Sequence, residues 1–75
     1  MMHTFRIQYE DNSYQSFEHI IRVQYFDFDE YVTVQGDEIL QHNFPIGKDM
    51  YLFAENAKYS ASGKNAKFIY VFKEG

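Results

Sequence analysis

Residues 4 to 10, TFRIQYE, alternate between apolar and polar side chains, with Phe5, Ile7 and Tyr9 on one side and Thr4, Arg6, Gln8 and Glu10 on the other. Alternation with period two puts successive side chains on opposite faces of an extended chain, so this segment predicts a half-buried strand. Asp11, Asn12 and Ser13 follow, residues whose short polar side chains bond nearby backbone and tolerate left-handed dihedrals. They predict a hairpin into a second strand over residues 14 to 25. There the odd positions Phe17, Ile21, Val23 and Tyr25 hold the apolar phase, His19 points the same way, and Ile20 is the exception. Phe17, Ile20 and Ile21 also match the i, i+3, i+4 stripe of a helix, so one short helix near residues 16–24 is the competing prediction. The Val, Ile and Tyr around them favour strand.

Past Tyr25 the phase changes, because Val32 and Val34 are even. A single straight strand would throw the two sets onto opposite faces. A chain reversal removes the conflict. With an even-numbered loop centred on Asp29-Glu30, position 25 lies across from 34 and 27 from 32, and Val23, Tyr25, Val32 and Val34 share one face. Asp-Glu is a poor two-residue turn, so a four-residue loop over Phe28 to Tyr31 fits the same parity. A bulge near Tyr25-Phe26 is the rival. Gly36, Asp37 and Glu38 read as a second hairpin, with Gly36 taking the positive φ of a type II′ turn and Ile39 across from Val34 on the core face. The outer side of this hairpin then gathers Phe26, Phe28, Tyr31 and Leu40, with His42. A contiguous exposed apolar patch of that kind usually meets a partner.

Residues 43 to 49, NFPIGKD, hold the only Pro and one of four Gly, and predict a longer connection. MYLFAE at 50 to 55 and AKFIYVF at 66 to 72 are apolar on both faces, which predicts strands at a sheet centre with Phe68, Tyr70 and Phe72 buried. A short polar strand, KYSAS, lies between them, flanked by turns at NAK and SGKN. Turn signals every eight to twelve residues predict an all-β domain spanning 1–75, a small antiparallel sandwich or partly open barrel of six to seven strands. No internal repeat, low-complexity segment or linker interrupts it.

Composition sharpens the demand on packing. Eight Phe and seven Tyr stand among 75 residues with no Trp, and each ring can bury roughly 150 to 250 Å². A core this small supplies only about 3 to 5 kcal/mol, so each large side chain counts. The chain has no Cys, which removes disulfides and thiolate metal cages and fits a reducing cytoplasm. The first residues show no basic segment followed by an apolar one, and no apolar run nears the roughly 18 residues that span a bilayer. A soluble cytoplasmic protein with no membrane partner is expected. The net charge of −4 conceals an asymmetry: residues 1–45 carry two Arg against eight acids, and residues 46–75 carry five Lys against three.

Little of this composition points to a reaction. Asp27, Asp29, Glu30, Asp37 and Glu38 are hard oxygen donors for Ca²⁺ or Mg²⁺, but an EF-hand loop starting at Asp27 needs Gly at its sixth position, where Val32 stands. Solvated acids that discourage edge-to-edge aggregation explain them more simply. His3, His19 and His42 lack the i, i+2 or i, i+4 spacing of a zinc pair, and the glycines at 36, 47, 63 and 75 are too dispersed for a phosphate-binding loop. No metal, cofactor or catalytic set is expected. The expected function is a non-enzymatic protein-binding or self-associating module, with Phe26, Phe28, Tyr31 and Leu40 as apolar anchors and Asp29, Glu30 and Asp37 as an acidic rim. Two alternatives stand beside it. Lys58, Lys64 and Lys67 interleaved with Tyr and Phe suit single-stranded nucleic acid, a partner that net charge disfavours. The acids of the first 45 residues suit mimicry of nucleic acid in the basic groove of another protein.

Overall fold

The computed structural model, which describes residues 2–75, turns the first alternating segment into strand β1 (His3–Tyr9), with Phe5 and Ile7 fully enclosed. It is followed by β2 (Tyr14–Ile20), β3 (Arg22–Asp27), β4 (Glu30–Gln35), a single helical turn α1 (Glu38–Gln41), β5 (Met50–Phe53), β6 (Lys58–Ala61) and β7 (Ala66–Lys73). Two antiparallel sheets form, one in the order β2-β1-β7 and one in the order β4-β3-β5-β6. The result is the small all-β sandwich that turn spacing and alternation predict, with seven strands and no closed barrel among the described residues. Phe5 and Ile7 from one layer meet Val23, Tyr25, Val34, Met50, Leu52 and Ala61 from the other, and Ile20 and Ile39 complete the core.

Residues 14 to 25 do not make one strand, nor does a helix form near residues 16–24. Phe5 lies opposite Phe17 but His3 lies opposite Ile20, so β2 carries one extra residue, with His19 at φ 63°. This is a β-bulge, and the one-residue slip turns Ile20 inward, which explains its exceptional phase. Beyond the bulge the chain changes layer at Ile21, whose N–H donates to the Phe53 carbonyl and whose own carbonyl accepts from Gly36.

The reversal near Asp29 is present, one residue earlier than parity placed it. Val23 faces Val34, Tyr25 faces Val32 and Asp27 faces Glu30, leaving Phe28-Asp29 as a two-residue loop. The partners 25 with 34 and 27 with 32 are therefore incorrect, although the shift of two preserves every face. In the observed register apolar residues oppose apolar residues, whereas the other would set Asp27 against Val32 on the inner side. Gly36 has the expected positive φ, 64°, but it leads into α1 instead of a second hairpin. The helical turn delivers Ile39 to the core, fully buried, by a different route.

The largest departure concerns β7. Its register sets Val71 opposite Phe5 and Ile69 opposite Ile7, and these two are the residues that pack on the core. Phe68, Tyr70 and Phe72 therefore lie with Gln8, Arg6 and Thr4 on the outer face, and are 46%, 38% and 47% exposed. They are not buried, because β7 is an edge strand in a sheet with a second layer on one side only.

Candidate functional site

Outward positions of the four-stranded sheet are set by the β3–β4 register. Phe26 and Tyr31 face each other across the hairpin, their rings edge to face at 5.1 Å, and both are about half exposed. Phe28 stands at the tip, 86% exposed, with φ of 56°. Asp29 and Glu30 are exposed beside it. Asp27 points to the inner side and reaches the Lys48 ammonium at 3.5 Å. Further along the same outer face, the Arg22 guanidinium lies 4.2 Å from the Phe53 ring centre, and the Lys58 ammonium 5.1 Å from that of Tyr51.

Leu40 and His42 do not join this surface. The helical turn that replaces the predicted strand carries Leu40 to a shallow cavity of about 280 Å³, shared with His42, Asn43, Phe44, Ile69 and Val71. His42 turns inward, its Nε2 2.7 Å from the Tyr25 hydroxyl and its ring 4.7 Å from that of Phe44. Burial, and secondarily the Asp27 charge, push the Tyr25 hydroxyl above its ordinary pKa. Asp37 is exposed at the start of α1, past the opposite end of β4, roughly 20 Å of extended chain away from the tip. Of the predicted anchors and rim, the hairpin end brings together Phe26, Phe28, Tyr31 and Asp29, with Glu30 at the same end but across from Asp27 on the hairpin's other face.

The outer face of the three-stranded sheet is a second surface, one that sequence reasoning missed. Phe68, Tyr70 and Phe72 form a row with ring centres 5.9 Å and 6.4 Å apart, and the planes of the last two differ by 14°. Arg6, midway along the central strand, sits across from Tyr70 and Ser16. Its guanidinium carbon is 4.7 Å from the Tyr14 ring centre and 5.6 Å from that of Phe72. Among the described residues Arg6 makes no ion pair, and its Nε is buried with no hydrogen-bond partner. The Lys67 ammonium lies 5.5 Å from the Phe68 ring centre. One signal could have found this face. Thr4, Arg6 and Gln8 make the outer side of β1 polar, so any strand paired with β1 must leave one of its own faces in water.

At one end of this sheet the Glu74 carboxylate gathers three donors. It accepts from the His19 backbone N–H at 2.7 Å and the Thr4 hydroxyl at 2.9 Å, and lies 2.8 Å from His19 Nδ1. The His19 N–H above all, then the imidazole and the hydroxyl, hold the Glu74 carboxyl below the usual carboxylate range against the opposing effect of partial burial. Among the described residues no three His, Asp or Glu side chains are grouped to hold a metal ion, and no helix is long and apolar enough to cross a membrane. Comparison with protein-family models, with curated proteins and with solved structures finds no match.

Proposed function

We propose that this protein is a non-enzymatic module that associates with a protein partner or with a second copy of itself through the tip of its β3–β4 hairpin. Phe28, Phe26 and Tyr31 are the apolar anchors, and Asp29 and Glu30 are the charged rim. Leu40 and Asp37 lie elsewhere and are left out of the surface. The observation that carries this reading is Phe28. Bulky residues at positive φ cost roughly 1 to 3 kcal/mol, and the first position of a two-residue hairpin loop is where Gly is favoured. A ring held there at 86% exposure adds nothing to the core, so the strain and the hydration cost point to use outside the fold.

Phe28→Gly separates the fold from the interaction. Glycine relieves the backbone strain, partly offset by greater freedom of the unfolded chain, so stability should hold or rise by about 1 kcal/mol. Association should fall at least about tenfold, since exposed aromatic anchors dominate small interfaces. Light-scattering mass over a concentration series, with urea unfolding in parallel, reads both. A Phe28→Gly protein that unfolds earlier than the parent would show the ring to be part of the fold. A parent that stays monomeric at the highest concentrations would remove the self-association half of the proposal. An assembly that dissolves as salt rises would shift the contact from the rings to the acids.

A further inference from the structure

We infer that the outer face of the three-stranded sheet, Arg6 and Tyr14 with the row Phe68, Tyr70 and Phe72, is a platform for single-stranded nucleic acid. It lies on the opposite layer from the hairpin tip and stands independently of the function proposed there. The row supplies π-faces at every second residue of β7, close to the 6.7 Å or so that two residues of strand span. Single-stranded bases stack on such rings whatever their identity, because every base has a flat face. Arg6 supplies the cation. Its guanidinium already lies against the Tyr14 and Phe72 rings and, among the described residues, forms no ion pair, so its two terminal amino groups, not the enclosed Nε, are left to meet phosphate. Lys67 beside Phe68 adds a second positive charge at the far end of the row.

The outward positions on these strands, taken from their registers, are Thr4, Arg6, Gln8, Tyr14, Ser16, Glu18, Phe68, Tyr70 and Phe72. Glu18 is the one acid among them, at the end of the face beside Thr4, and its carboxylate lies 3.9 Å from His19 Nε2. Glu74, at the margin, is occupied by Thr4 and His19. A phosphate approaching here meets cations although the chain as a whole carries −4, and the local field governs encounter at this range. Duplex is a poor occupant because its base faces are already stacked inside. A face-to-face pair of copies about an axis through the middle of the sheet is also poor, since it would bring the central Arg6 of each against the other.

Anisotropy titration of a fluorescent oligothymidylate, at low and at moderate salt, tests the assignment. Two cations on the strand should give a log-log salt slope of about −1.4, and Arg6→Gln should reduce it by about 0.7. Tyr70→Leu keeps the bulk but loses the π-face, and should weaken binding about tenfold or more at unchanged slope. Phe68→Leu serves the same purpose if Tyr70→Leu does not fold. Phe28→Gly should leave oligonucleotide affinity unchanged, which keeps failure of the hairpin proposal distinct from failure of this one. The inference is overturned by no binding at low salt, by duplex binding as tightly as single strand, or by Arg6→Gln and Tyr70→Leu both retaining parent affinity. A change in the protein's own solution mass on Tyr70→Leu would also overturn it, by giving the face to a second copy.

Discussion

His3 and Phe28 are misplaced in opposite senses. Phe28 is an apolar ring in water. His3 is a polar ring fully enclosed between the layers, and neither of its nitrogens has a hydrogen-bond partner. Its position follows from β1 alternation, which places residues 3, 5 and 7 on the inner face, across from Ile20 on one side and Lys73 on the other. An enclosed donor or acceptor without a partner costs about 1 to 3 kcal/mol relative to one that is satisfied, and replacement by an apolar group of similar volume recovers much of that. His3→Leu should therefore raise stability by about 1 kcal/mol, read as a higher urea midpoint at unchanged slope. A lowered midpoint would mean that the imidazole is satisfied by something the side chains alone do not supply. The alternation read over residues 4 to 10 stopped one residue short of His3, which shares the odd parity of Phe5, Ile7 and Tyr9. Whether that position is covered depends on Ile20, which reaches it only through the bulge at His19.

Elements expose the limit of parity reasoning more clearly. Period-two patterns determine which side chains share a face, and they located the β1 strand, the reversal after Tyr25 and the inward set Val23, Tyr25, Val32 and Val34. They cannot distinguish loops that differ by two residues in register, so Phe28-Asp29 and Asp29-Glu30 were equivalent until Asp27 had to be placed. A four-residue helical turn and a hairpin arm deliver Ile39 to the core equally well, and the difference moves Leu40 away from Phe26 and Tyr31. The β2 bulge was visible only as one discordant residue, Ile20. Its conformation is held from the opposite end of the chain by Glu74, and this makes a prediction about pH. Because the Glu74 carboxyl is held below its ordinary pKa in the fold, the charged form stabilises the native state. That contribution is full above the unfolded value, about 4.3, and is lost as pH falls through the lowered folded value. Glu74→Gln should therefore lower the unfolding midpoint at neutral pH, and the gap from the parent should close under acid conditions below both values. Asp11, also lowered, by its bonds to Ser13, titrates in both proteins and cancels in the comparison. A gap that persists unchanged under acid conditions would show that shape, not charge, holds the bulge.

At the scale of the whole molecule, each sheet draws strands from both parts of the sequence: β1 pairs with β2 on one side and β7 on the other, while β3 and β4 share a sheet with β5 and β6. The acidic first part and the basic last part are thus interleaved within each layer, and a division that is plain along the chain does not become a division between sheets. What the sequence could not show is which apolar faces the two layers cover. The Phe68 row and the Phe26–Tyr31 pair are left in water by strand order, a property of non-local pairing. That order also has a kinetic consequence. Phe5 pairs with Val71 and Ile7 with Ile69, so the three-stranded sheet closes only when the two ends of the chain meet, as they do where the Glu74 N–H donates to the Met2 carbonyl. A circular permutant that joins residue 75 to residue 2 through a short glycine-containing turn, and opens the chain between the exposed Ile46 and Gly47, converts this pairing into a local hairpin. It lengthens the loop between β3 and β5 in exchange, but closure entropy grows only with the logarithm of loop length, and the gain at β1 and β7 is the larger. Refolding should accelerate about five- to tenfold, with the unfolding rate little changed, in stopped-flow measurements. Equal refolding rates would place closure of the three-stranded sheet after the rate-limiting step, with the β3–β4 hairpin and β5 forming the nucleus.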